Sequence, residues 1–227
     1  MLDDLLHMIF PRVCAACERA LFKYEHSICL HCRHHLPRTG FHLKYDNPVI
    51  RMFWGRVAVQ AAASYFYYKK GSHVQKIIHR LKYKGEQEIG REIGSIYGKE
   101  LKTAPIFSGI TRIIPVPLHP ARMRSRGYNQ SESFALGLSE IMSAPVDTDL
   151  LVRNSKTGTQ TKKSRYSRWS NVGGNFQLKS FSLPQKEHFL LVDDVITTGA
   201  TLEACATELL KIEGAGVSIV TIASTFN

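Results

Sequence analysis

No segment of the 227-residue chain approaches the roughly 20 consecutive apolar residues that a membrane-spanning helix needs, which excludes an integral helical membrane protein. Residues 1–13 carry Asp3 and Asp4 and only a short apolar patch, whereas a secretory leader wants a cationic start and a longer apolar region. A soluble, cytoplasmic protein is therefore expected. Cysteine is scarce outside one stretch: four of the five lie between residues 14 and 32, so a disulfide-scaffolded extracellular fold is not expected. Acid is also scarce, with 19 Asp and Glu against 30 Lys and Arg, and the net charge of +11 points to anionic partners, phosphates or nucleic acid. The hydrophobic content of 44% excludes a disordered chain. The length leaves room for one α/β core of about 120 residues with smaller attachments.

The most informative stretch lies near the C-terminus. Residues 188–192 form a nearly unbroken apolar run, as in a strand covered on both faces within a parallel sheet. Leu202, Cys205, Ala206 and Leu209 then recur at helical spacing, and Gly214 stands where a left-handed C-terminal cap is expected. Strand and helix are joined by Asp193, Asp194, Val195, Ile196, Thr197, Thr198, Gly199, Ala200 and Thr201. The two carboxylates fall at the carboxyl end of the strand, the ligand edge of an open α/β sheet, and can accept hydrogen bonds from vicinal sugar hydroxyls. The threonines, Gly199 and Ala200 offer hydroxyls and uncrowded N–H groups at a helix N-terminus, whose orphan donors and dipole favour a phosphate. Such a junction reads as a pocket for a phosphorylated ribose. An acidic turn that merely caps a helix leaves the acid pair and the small-residue run unexplained.

A second strand-to-helix junction begins at Ile113 and Ile114, a buried strand whose pairing is ended by Pro115 and Pro117 because proline cannot donate to the ladder. Asn129 and Glu132 predict a capping box, followed by a helical stripe of Phe134, Leu138, Ile141 and Met142. Arg122, Arg124 and Arg126 therefore fall in the loop between, at a spacing of two. Fixed cationic forks suit pyrophosphate or a nucleic-acid backbone, although a solvated basic turn with no partner has the same composition. Residues 153–175, with Gln160, Lys162, Lys163, Arg165, Arg168 and Asn171, follow neither structural period. A loop of that length is a lid, a binding loop or a disordered excursion.

Cys14-x-x-Cys17 and Cys29-x-x-Cys32 have the spacing by which two pairs of thiolates close on one tetrahedral Zn²⁺. With four ligands the site is structural; disulfide pairing is the alternative, and His31, His34 and His35 are nearby spare ligands. Cys205 belongs to its helix stripe as a small buried hydrophobe. Between the cysteines and the core, residues 57–68 predict a strand or hairpin, Val74, Ile77, Ile78 and Leu81 a helix, and Ile89, Ile93, Ile96 and Tyr97 another. Tyr65, Phe66, Tyr67 and Tyr68, with the Lys82-Tyr83-Lys84-Gly85 turn, could stack single-stranded nucleic acid, but such aromatics are more often core.

The 193–201 run resembles the phosphoribosyl pyrophosphate (PRPP) signature of the type I phosphoribosyltransferases. With the arginine segment, the Gln160-Thr161 and Arg168-x-x-Asn171-Val172 pieces and the two cysteine pairs, the chain is most similar to the ComF/GntX family, associated with competence and DNA uptake. The resemblance implies an α/β fold of the type I phosphoribosyltransferase class, a Rossmann-like parallel sheet with flanking helices, plus a small N-terminal zinc-binding module. It divides the chain into a zinc finger (1–36), a linker, strand region and helices forming a hood or attachment (37–108) and the transferase core (109–227). It implies that residues 193–195 and 197–201 bind PRPP. Val116, Pro117, Leu118 and His119 become the pyrophosphate loop, and the cationic residues of 153–175 a flexible catalytic loop that closes over pyrophosphate.

The implied chemistry is transfer at C1 of PRPP, with Mg²⁺ bridging the ribose hydroxyls and pyrophosphate. Asp193 and Asp194 orient the ribose and accompany its developing positive charge, while the backbone of 197–201 holds the 5′-phosphate and Arg122, Arg124 and Arg126 stabilise the departing pyrophosphate. The acceptor is left open. Two other functions share the same residues: a single-stranded-DNA-binding competence factor whose PRPP site is regulatory or vestigial, and a non-catalytic PRPP sensor. Competence or DNA-processing proteins are the implied protein partners.

Overall fold

The computed structural model describes residues 11–153, 176–179 and 186–226. Short helices α1 (Leu30–His35) and α2 (Pro48–Arg51) follow the cysteine-bearing loop and lead into β1 (Ala61–Tyr67). Two longer helices come next, α3 (His73–Tyr83) and α4 (Glu88–Thr103), then β2 (Arg112–Pro115), α5 (Pro120–Arg126) and α6 (Gln130–Met142). The chain ends with β3 (Leu151–Arg153), β4 (Phe176–Leu178), β5 (His188–Ile196), α7 (Ala200–Leu209) and β6 (Gly216–Ser224). Strands β1, β6, β5 and β2, in that spatial order, form one parallel sheet, and β3 and β4 a separate antiparallel ribbon.

The α/β architecture expected from the sequence is the one observed. Every residue of β6 is buried, as are Phe189 to Val192 of β5, so the inner strands are covered on both faces. Where hydroxyls are buried between strands they pair: Ser64 Oγ of β1 donates to Ser224 Oγ of β6 at 2.7 Å. Residues 57–68 supply a single strand, and through its pairing with β6 the 37–108 stretch contributes an edge to the same sheet. The helical stripes predicted for α3 and α4 are buried except Ile96, which is only partly covered. Tyr65 and Phe66 are core residues, which removes them as a stacking surface.

Helices α4 and α6 meet along a seam of small residues. A Cβ on Gly137 would lie 2.0 Å from the Arg91 carbonyl oxygen, and one on Gly94 2.3 Å from that of Phe134. The two backbones therefore touch, and α6 in turn packs on β2 and β5. Gly214 does take a left-handed φ of +72°, but α7 ends at Leu209, so this glycine turns the chain into β6 and does not cap the helix. Among the described residues no helix is long and apolar enough to cross a membrane.

Candidate functional site

Asp193 and Asp194 lie inside β5, not in the turn after it, because pairing with β6 continues through Asp193, Val195 and Ile196 opposite Thr221, Ala223 and Ser224. The sheet ladder thus fixes the backbone that carries both carboxylates. Asp193 Oδ1 accepts the Ser131 hydroxyl at 2.9 Å and the Asp194 backbone N–H at 2.8 Å. Burial, followed by the adjacent Asp194 carboxylate, pushes Asp193 up to about 7 against the opposing pull of those hydrogen bonds and of Lys82. Asp194 receives the Lys82 ammonium at 2.8 Å from Oδ1.

Past Ile196 the chain turns through Gly199, whose φ of +73° is left-handed and whose missing Cβ would meet the Met52 Cε at 3.1 Å. The stretch before β1 therefore buttresses this turn from behind. No side chain among the described residues caps α7, which leaves the N–H groups of its first turn open to a ligand. A cleft of about 530 Å³ opens over the junction, and Asp193, Asp194, Val195, Thr197 and Thr201 face it. Thr198, Gly199 and Ala200 do not line it with side chains, which leaves them only a backbone contribution.

Val116, Pro117 and Leu118 form the opposite lip. His119 is not part of it: its Nδ1 accepts the Ala121 N–H at 3.2 Å and so caps α5. The arginine segment departs from the loop expected there. Residues 120–126 are helical, beginning at Pro120 and ending at Gly127 with φ +80°. On a helix a spacing of two is nearly opposite and a spacing of four shares a face. Arg122 and Arg126 accordingly line the cleft and Arg124 does not. Arg126 is held by Gln130 Oε1 at 2.7 Å and over the Tyr83 ring at 5.3 Å.

At the start of α6 the expected reciprocal capping box is a single cap: Asn129 Oδ1 accepts the Ser131 N–H at 3.1 Å, and Asn129 Nδ2 donates to the Val116 carbonyl at 3.0 Å. The asparagine thus ties the helix to the proline-rich lip, a use that leaves Glu132 outside the motif. Gln160, Lys162, Lys163, Arg165, Arg168 and Asn171 lie outside the described residues. Functional neighbours that the sequence reading missed are Ser131, Arg153, His79 and, in this role, Lys82, all of which line the same cleft. Only the fold brings them there, since none stands at a fixed spacing from the acid pair.

Cys14 and Cys17 in the N-terminal loop, Cys29 at the cap of α1 and Cys32 within it bring their sulfurs within 4.8 Å of one another, and all are free thiols. Cys17 and Cys29 Sγ are 3.7 Å apart, close to the edge of about 3.8 Å of a tetrahedron with 2.3 Å zinc–sulfur bonds. Backbone N–H groups of Ala16 and Cys29 point at Cys14 Sγ at 3.4 and 3.3 Å. Burial acts to raise Cys14, but the backbone hydrogen bonds of Cys29, Cys17 and Ala16 outweigh it and bring the thiol down to about 7. Burial instead pushes the Cys29 and Cys32 thiols up, so the thiolate-favouring hydrogen bonds are local to Cys14. Four soft donors with no open position fit a structural zinc ion. The loop is docked on the core: Glu92 of α4 accepts the Ser27 N–H at 2.6 Å and pairs with Arg33, and Arg80 of α3 donates to the Cys14 carbonyl at 3.3 Å.

Comparison with known proteins agrees with this geometry. The phosphoribosyl transferase domain model matches residues 68–226. The DNA utilization protein YhgH of Escherichia coli is 30% identical over 212 residues, spanning 91% of this chain and 88% of that one. Competence protein F of Haemophilus influenzae is 26% identical over 219 residues, with 91% and 88% covered. Competence protein ComFC of Bacillus subtilis is 27% identical over 213 residues, with 93% and 83% covered.

Proposed function

The chain belongs to the ComF family of type I phosphoribosyltransferases, and from that premise we propose that its cleft binds PRPP with Mg²⁺ and transfers the 5-phosphoribosyl group from C1 to an acceptor. The observation that carries this reading is the meeting, in one cleft, of two strand-borne carboxylates, the uncapped start of α7 and the Arg122–Arg126 face of α5. Carboxylates accept from the ribose hydroxyls, the α7 N–H groups and Thr197 and Thr201 hydroxyls donate to the 5′-phosphate, and the guanidinium groups face the diphosphate. Asp193 and Asp194 are oxygen donors of the kind Mg²⁺ prefers and would hold it beside the diphosphate, where it would supply neutralisation of the leaving charge.

In the transfer, the C1–oxygen bond to pyrophosphate breaks with its electron pair leaving on pyrophosphate. The acceptor's lone pair forms the new C1 bond, and the acceptor's proton is lost. Between those events C1 carries oxocarbenium character, and the fixed carboxylates of Asp193 and Asp194 stabilise it more than a strong base would. Cys14, Cys17, Cys29 and Cys32 would hold Zn²⁺, whose part would be structural, joining the N-terminal segment into one unit. Free thiols in that cluster fit a cytoplasmic setting.

Calorimetry with PRPP and Mg²⁺ tests the assignment on wild type and on Asp193→Asn with Asp194→Asn. The double variant is expected to lose binding; equal binding by both removes the PRPP site. Release of pyrophosphate on screening nucleobases and small amines separates an enzyme from a sensor.

A second reading, single-stranded DNA binding, is favoured by one surface feature. The rings of Phe22 and Tyr24 lie parallel, 5.8 Å apart and each 66% exposed, with Arg19 and Lys23 in the same loop. Binding of this kind weakens with salt by about one log unit per log unit for each phosphate neutralised. Filter retention of single-stranded DNA that is absent, or insensitive to salt, rejects it.

A further inference from the structure

Lys82 is the basic residue of α3 that reaches the acid pair. Its Nζ sits 2.8 Å from Asp194 Oδ1, with 21% of the lysine and 12% of the aspartate side chain exposed. Exposed ion pairs contribute little, but this one is largely shielded and joins β5 to an element outside the strand–helix junction. The turn that delivers it is held at every residue. Arg80 pairs with Glu86 at 2.9 Å and donates to the Cys14 carbonyl, the Leu81 carbonyl accepts the Tyr128 hydroxyl, and the Tyr83 ring lies under Arg126. A lysine on so constrained a turn loses little further freedom on making its contact.

Two adjacent carboxylates repel one another, and each disfavours the charge of its neighbour. Lys82 places a cation beside them, in contact with Asp194, while Ser131 holds Asp193. We propose that Lys82 is a positioning residue of the donor site: its ammonium holds the Asp194 carboxylate in the cleft, in place for the sugar diphosphate. Within α3 itself His79 also faces this space, Arg153 comes from β3, Arg122 and Arg126 from α5, Ser131 from α6, and the buried Cys205 thiol from α7. Of these charges Lys82 is the one in contact with the pair.

This inference rests on the PRPP reading. Lys82→Met keeps the apolar stem and removes the charge, and Lys82→Arg restores it. PRPP affinity measured by calorimetry is expected to fall about tenfold in Lys82→Met and to return to within about threefold of wild type in Lys82→Arg. A lysine serving only the fold would lower the melting temperature and leave the PRPP affinity of the folded protein where it was. Wild type that binds PRPP while Lys82→Met binds it equally well overturns the role of Lys82 alone. Wild type that binds no PRPP at any pH removes the donor site and this role with it.

Discussion

Ser131 donates its hydroxyl to the same Asp193 oxygen that accepts the Asp194 backbone N–H, at 2.9 and 2.8 Å. The start of α6 is thereby tied to β5, and one carboxylate oxygen is taken up by the protein while the other has no hydrogen-bond partner among the described residues. Even with two donors, burial and Asp194 raise Asp193 to about 7 from the ordinary 3.8. For an acid raised on folding, the folded state keeps a proton that the unfolded chain releases. Stability therefore falls as pH rises from about 3.8 to about 7, and stays reduced above that. Asp193→Asn is expected to match wild type near pH 4 and to exceed it near pH 8, on the order of 1 to 3 kcal/mol, by urea unfolding at the two pH values.

Ligand binding runs the other way. On the proposed function the sugar hydroxyls need an acceptor at Asp193, so affinity for PRPP with Mg²⁺ rises as pH passes upward through about 7. Calorimetry in buffers of different ionisation enthalpy should record close to one proton released near pH 6, and almost none near pH 8.5.

The α4–α6 seam gives a prediction of unusual sign. Gly→Ala within a helix ordinarily stabilises by about 1 kcal/mol. At Gly137 the new methyl would stand 2.0 Å from the Arg91 carbonyl oxygen, a backbone atom with nowhere to go. Gly137→Ala is expected to destabilise by about 2 kcal/mol or more, seen as a lower urea midpoint with an unchanged slope.

Removal of metal is expected to reach α3. Arg80 grips the Cys14 carbonyl, so loosening the cysteine loop frees one partner of the turn that carries Lys82. A chelator or Cys14→Ser should lower the melting temperature and speed amide exchange at the end of α3, while β5 and β6 keep their protection, by hydrogen-exchange mass spectrometry.

The parts legible in the sequence were those with a local period or a local motif. The apolar run of β5, the stripes of α3 and α6 and the two cysteine pairs each state their geometry within a dozen residues. The seam of Gly90, Gly94 and Gly137 was not read because it depends on two helices meeting. Ser131 and Lys82 were missed as site residues for the same reason: each reaches the acid pair from a different element, and no spacing records that. At the arginine segment the error was in the period. Alternate residues share a side in an extended loop, but Pro120 opens a helix and Gly127 closes it, and the face changes accordingly.

That change of face separates two variants that composition would treat alike. Arg122 faces the cleft from the first turns of α5, and Arg124, two residues on, points to the other side of the same short helix. If the guanidinium groups meet the diphosphate, Arg122→Ala removes a preorganised charge where negative charge builds, and a loss of about 10² to 10³ in turnover is expected with whichever acceptor supports pyrophosphate release. Arg124→Ala is expected to stay within about threefold, since its charge acts only through solvent. Both variants should melt near the wild-type temperature, because neither side chain is buried. Equal losses for the two would mean that the segment acts as a diffuse basic patch, as in the DNA-binding reading, and steeper salt dependence of DNA retention in wild type than in both variants would then identify that patch.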